Sequence, residues 1–355
     1  MTHAAGVILK IKGQIMKMRT THEIVLRTIF GIVLLLSLMV FSASCQKPEK
    51  SIGPKEKVTI GVGSLVLSAP FMVAQEQGFF SDEGLEVTYK SYPFGKKALE
   101  AMFVREVDIA TVAETPIVFN SFIRDDFVVF ATFTYSYDDS KILGRKDRGV
   151  SMPADLKGKK IGITAKTSSH FFAYIYLNEH RIDPSSVKLV DFATKDLPDA
   201  LKEGKVDAIA AFEPYAYMAM KALPDKVVRL PKSDFFKETF NLAAMKSYTK
   251  EHPETLKKVL KAVNRSITYI KQNKRESLAI ITKWTGMEET ILASIWDDFV
   301  FELSLEQSLL TILEDEARWA IANKFTDKIK VPNYLGYFYL DAMKAVKPEA
   351  VTIIK

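Results

Sequence analysis

The chain has 355 residues, 48% of them apolar, which is enough to bury a large core in two or three lobes and excludes a disordered or fibrous protein. Its formal charge of +6 owes most of its excess to the first 45 residues, where Lys10, Lys12, Lys17, Arg19 and Arg27 face Glu23 alone; the remainder holds 44 basic and 42 acidic residues, which argues against nucleic acid as a partner. With one cysteine, Cys45, there can be no internal disulfide or thiolate metal cluster, and neither metal nor cofactor is expected.

A basic stretch, the apolar run TIFGIVLLLSLMVF (Thr28–Phe41) and the small residues Ser42, Ala43 and Ser44 lead up to Cys45, which is a secretory pattern, too short for a comfortable membrane span. Met16 or Met18 would give this leader a more ordinary basic region, and the initiator is expected there. The segment resembles a bacterial lipoprotein site, with Ser42 where Leu is usual, and so implies lipidation of Cys45 and export to the periplasm or cell surface. A plain signal peptide cleaved nearby is the alternative. Residues 46–57, polar with two prolines, read as a tether.

From Val58 strand-like runs alternate with amphipathic ones. VTIGVG precedes a helix in APFMVAQEQGFF, where Pro70 suits the first turn and Gly78 the end. LEVTYKSY reads as a strand, GKKALEAMFVRE as a helix, DIATVA as a strand, and a further helix starts near Thr115. The order then repeats: a strand at Lys160–Thr164, a helix from about Ser168, the strand VKLVDF, the helix DLPDALKEGK, the strand DAIAAF and a helix opened by Pro214. The repeat is sharpest in VDIATVAETP and VDAIAAFEP, whose aspartates, Asp108 and Asp207, lie 99 positions apart. Repeated βα units predict an α/β fold of two lobes, each a mostly parallel sheet flanked by helices. KVVRL closes the second lobe, FNLAAM returns the chain to the first, and a long helix follows with Leu256, Val259, Leu260, Val263, Ile267 and Ile270 on one face. Ser304 and Gln307 have the spacing of a capping box before a helix carrying Leu309, Leu313 and Trp319.

Ligands of open parallel sheets bind beyond the carboxyl ends of the strands, where helix N-termini point. Thr167, Ser168 and Ser169 stand at such a start and serve equally as caps or as anion contacts. Ser68, Glu114, Thr115 and Glu213 occupy corresponding rims. A glutamate in a first helical turn is favoured by the helix dipole alone, yet here two of them face the cleft and disfavour a bare oxyanion. A ligand bearing N–H or ammonium groups, and an aromatic ring to stack on Tyr135 or Tyr215, fits better; Tyr137 shares the loop of Tyr135, and Phe171 and Phe212 read as core. His170 beside them reads as structural rather than catalytic.

The segments APFMVAQEQGFFSDEGLEV, VREVDIATVAETP, DLKGKKIGITAKTSSHFF, DALKEGKVDAIAAFEPYAYMA and VPNYLGYFYLDAMKAVKPEAVTII resemble the extracytoplasmic solute-binding proteins of ABC importers, in the nitrate/sulfonate/taurine and thiamine-precursor branch. The resemblance covers nearly the whole chain after the leader, with Phe212 where many relatives have Trp. It implies a type II periplasmic-binding fold, with lobe 1 formed by residues 58–134 and 241–355 and lobe 2 by residues 137–230. It also implies a monomer that closes on a small solute and passes it to a permease and its ATPase. No H-E-x-x-H, G-x-S-x-G or full phosphate loop is present. The alternatives are a lipid-tethered sensor of the same fold and, against the lack of cysteine after position 45, an enzyme similar to the pyrimidine-synthase branch.

Overall fold

A computed structural model describes residues 54–354, so the leader, Cys45 and most of the tether lie outside the described residues. The sequence from Glu56 builds two sheets. The first contains β1 (Glu56–Gly63), β2 (Leu85–Tyr92), β3 (Ile109–Ala113), β4 (Phe127–Ser136), β10 (Glu238–Met245) and β11 (Phe299–Ser304), in the order β11-β4-β10-β3-β1-β2. The second contains β5 (Lys141–Arg145), β6 (Lys160–Ile163), β7 (Lys188–Asp191), β8 (Ala208–Ala211) and β9 (Val227–Arg229), in the order β7-β6-β8-β5-β9. In each sheet three strands are parallel, β2-β1-β3 and β7-β6-β8. The others are antiparallel, so both sheets are mixed rather than mostly parallel. The reason lies in the connections: β4 and β10 carry the chain between the halves, and a strand that leaves and one that returns must run in opposite senses.

Helices cover the sheets. In the first half these are α1 (Ala69–Glu76), α2 (Phe79–Asp82), α3 (Gly95–Phe103) and α4 (Glu114–Ser121). In the second half they are α5 (Ser168–Glu179), α6 (Leu197–Lys202) and α7 (Tyr215–Ala222). The chain then adds α8 (Lys246–Glu251), α9 (Pro253–Gln272), α10 (Lys274–Thr285), α11 (Glu289–Ile295), α12 (Gln307–Ala322) and α13 (Asp341–Val346). Gly78, at φ 70°, ends the turn after α1 in a left-handed conformation that its missing Cβ permits. All six stripe residues of α9 are buried, each contributing roughly 1.5–3 kcal/mol of apolar transfer. The expected capping box at Ser304 does not form: Ser304 still belongs to β11, and α12 starts at Gln307, whose N–H donates to Thr352 Oγ1. No helix among the described residues is long and apolar enough to cross a membrane.

The repeated Val-Asp unit does the same work twice. Asp108 and Thr59 exchange two bonds, Thr59 N donating to Asp108 Oδ2 at 2.7 Å and Asp108 N to Thr59 O at 2.8 Å. In the second sheet Lys160 N donates to Asp207 Oδ2 at 3.0 Å and Asp207 N to Lys160 O at 2.9 Å. Each aspartate thus clips the third parallel strand to the first at the edge away from the helix starts. At the other end of each repeat stand Glu114 and Glu213.

Candidate functional site

The carboxyl ends of β1, β3, β6 and β8 feed the starts of α1, α4, α5 and α7, and the two sets of helix starts face one another. Between them lies a cavity with about 20 Å³ of internal space, room for a water or two, walled by the rings of Phe94, Phe212 and Phe240 and by Thr167, Ser168 and Glu238. Phe94 and Phe212 approach across the cleft to 6.5 Å between centroids. Lys96, also in the wall, donates to Ala165 O at 3.2 Å, joining the two halves, and burial lowers its pKa.

Of the expected ligand contacts, Thr167 and Ser168 line this cavity directly, and Phe212, expected to be core, forms part of its wall. Thr167 donates to Thr164 O at 2.7 Å, Ser169 accepts from Thr164 N at 3.1 Å, and Ser168 faces the Glu238 carboxylate, whose Oε2 accepts from Ser140 Oγ at 3.0 Å. Ser68, the residue before α1, and Thr115 are fully buried, with hydroxyls that have no hydrogen-bond partner. Glu114 Oε2 accepts from both Thr239 N and Thr239 Oγ1 at 2.8 Å, while Oε1 has no partner. Glu213 is engaged elsewhere: Oε1 lies 3.2 Å from Lys141 Nζ and Oε2 accepts from Tyr217 N at 2.9 Å in the first turn of α7. Tyr135 packs against Tyr137 under the Lys237 ammonium, away from the cavity wall, and Tyr215 lies edge-on to Phe212 behind it.

Charge is unusually concentrated here. Glu114, Glu213, Glu238, Glu316 and Asp139 are all buried, with Lys141 the one buried ammonium near them. Lys141 pairs in charge with Glu213 and donates to Asp138 O at 2.5 Å and Asp139 O at 3.4 Å. Burial, reinforced by the Glu238 charge, raises the Glu114 pKa to about 8, and burial raises that of Glu238 to about 6. Burial also pushes Glu316 and Asp139 well above the carboxylate range, with Glu114 adding to the first and Glu238 to the second. The Thr115 hydroxyl lies near Glu316, yet neither Glu316 oxygen is hydrogen-bonded.

Glu238, Glu316, Asp139 and Lys141, with Phe94, Lys96 and Phe240 of the wall, are site residues that sequence reasoning missed. Glu316 alone left a trace, a carboxylate on the apolar stripe of α12 with Leu309, Leu313, Ala317 and Ala320. His170 has a structural place: its ring packs on Phe325 and Trp319 at 4.6 and 5.1 Å, and burial depresses its pKa to about 4, leaving it neutral. It borders a separate, more open groove of about 460 Å³ with Lys166, Tyr174, Asp191 and Phe325. No group of three or more metal-ligating side chains occurs among the described residues.

Comparison with known proteins agrees with this architecture. A putative aliphatic sulfonates-binding protein of Bacillus subtilis is 23% identical over 270 residues, 75% of this chain and 81% of its own. The alkanesulfonate-binding protein SsuA of Xanthomonas axonopodis pv. citri, solved with MOPS bound, superposes with a TM-score of 0.70 at 16% identity, covering 81% of this chain and 99% of its own. The desulfurization enzyme DSZB also shares the fold, at a TM-score of 0.61 and 12% identity over 83% of this chain and 99% of its own. The fold is thus that of the two-lobed periplasmic sulfonate-binding proteins. Residues 67–277 match the NMT1/THI5-like family, and with more than half of its length covered the chain belongs to that family.

Proposed function

We propose that this protein captures a small organic solute between its two lobes and delivers it to the permease of an ABC importer. The observation that carries this is the meeting of two sets of helix starts on an interlobe cavity, in halves between which the chain crosses at residues 137–140 and 230–237. Lobes of residues 58–134 with 241–355 and of residues 137–230 would close by bending near residues 134–137 and 231–241. The matched aliphatic sulfonates-binding relative supports the transport role. Export, with Cys45 as a lipid anchor, would place the protein at the membrane surface beside its permease.

An enzyme reading draws on the fold shared with DSZB, but the cavity holds no cysteine and His170 is turned into an aromatic cluster. A thermal-shift screen of sulfonates, pyrimidines, amines and aromatic acids tests the proposal, since a binder stabilises by RT ln(1 + [L]/Kd). Failure of every class to raise the melting temperature would overturn it.

A further inference from the structure

We infer that the cleft selects a small organic cation, an ammonium or guanidinium, over a sulfonate of the same size. The inference rests on the cleft being the solute site and names the class of solute it takes.

The wall of the cavity has the chemistry of a cation site. Phe94, Phe212 and Phe240 supply ring faces and Glu238 a carboxylate, two groups that attract positive charge and repel negative charge. Of the hydroxyls at the start of α5, that of Thr167 is committed to Thr164 O and that of Ser168 faces the Glu238 carboxylate, which an oxyanion would have to approach. Lys96, the one cation in the wall, is tied to Ala165 O.

Behind Glu238 the structure gathers several buried carboxyls around one buried ammonium, Lys141. The groups facing Glu238 are Glu114 from α4, Asp139 and Lys141 from the crossing into the second lobe, and Glu316 from α12. Lys141 is bound to Glu213 and to two backbone carbonyls. Independently of the carboxylates, the hydroxyls of Ser68 and Thr115 are fully buried at the same rim with no hydrogen-bond partner in the chain. These hydroxyls can accept from a ligand N–H, and the ring-lined wall favours positive charge. Burial holds the Glu114 and Glu238 carboxyls partly protonated near neutrality, so an arriving cation would displace protons and bind more tightly as pH rises.

Titration calorimetry of the intact protein with n-butylammonium, methylguanidinium and n-butanesulfonate tests this. The expected result is binding of at least one cation and none of the sulfonate, with cation affinity rising about threefold or more from about pH 6 to about pH 8. E238Q should weaken the cation at least about tenfold at an unchanged melting temperature. Should E238Q fold poorly, F94L removes one ring and should weaken the cation about threefold to fivefold. Binding of butanesulfonate with silence from both cations overturns the cation inference and leaves solute capture standing. Silence of all three probes also overturns it, and solute capture then falls only if the wider screen is silent as well. Parental cation affinity in E238Q would remove Glu238 from the site.

Discussion

Replacing Lys141 by Met should be among the most damaging single changes outside the apolar core. The side chain is 2% exposed and its partner Glu213 1%, so water cannot take over the lost contacts. Met fills a similar volume but leaves Glu213 Oε1 unpaired, frees the carbonyls of Asp138 and Asp139, and removes the nearest positive charge from Asp139 and Glu238. Breaking a buried pair from one side costs about 3–5 kcal/mol. At roughly 2–4 °C per kcal/mol this lowers the melting temperature by about 10 °C. Urea denaturation gives the free energy, and a double-mutant cycle with E213Q isolates the pair, with an expected coupling of about 2 kcal/mol or more. The deficit should shrink in acid, where Asp139 and Glu238 take up protons and no longer require the ammonium. A loss below about 1 kcal/mol, or additive effects of the two substitutions, would refute the idea that this ion pair secures the crossing between the lobes.

Because the folded Glu114 and Glu238 carboxyls have pKa values of about 8 and about 6, above the ordinary 4.5, their contribution to stability is complete below about pH 4.5. It is lost as pH rises through those values; calorimetry should record a melting temperature that falls from about pH 5 to about pH 8 and is partly restored at the upper end by E114Q, and a rise over that range would contradict the sign. G95A should cost about 1–3 kcal/mol and disturb ligand affinity, because an added Cβ would lie 2.8 Å from Val112 Cα and 2.9 Å from Thr111 O where α3 starts on β3; parental melting would show that the start of α3 can shift. Small-angle scattering of the protein saturated with any confirmed ligand should give a smaller radius of gyration than the free protein, and an unchanged radius counts against bending at the crossings. In cell fractionation C45A should move from the membrane to the soluble fraction, and retention at the membrane would reject the lipid anchor.

Local pattern carried much of the fold. Pro70 and Gly78 bracket α1, the stripe of α9 emerges as a buried face, and the Val-Asp pair opens a parallel strand in each half. Strands β4, β5 and β11 were not anticipated. Nearly every position of β4 is buried, so it lacks the alternation that marks a half-exposed strand, and β5 begins on a lysine after two aspartates. The site was legible only where it depends on helix starts. Glu213 could be placed at the opening of α7, but its partner Lys141 sits 72 positions earlier in a crossing segment, and no local periodicity encodes such a pair. Glu238 reaches the cavity because β10 runs between β3 and β4, an arrangement that short-range sequence does not record.

The aspartate clips at Asp108 and Asp207 divide the labour within each sheet. A one-residue slip would turn every side chain of a strand to the opposite face, so something must hold alignment. Here the side chains that hold it grip backbone amides at the edge remote from the cleft, and they do so without help from any rim residue. The alignment of the parallel strands therefore does not depend on the rim. Glu114, Thr115, Ser168 or Phe212 can be exchanged for other side chains while β1 and β3, or β6 and β8, keep their alignment, so the frame can be re-equipped for a chemically different solute by substitutions confined to one edge of each sheet.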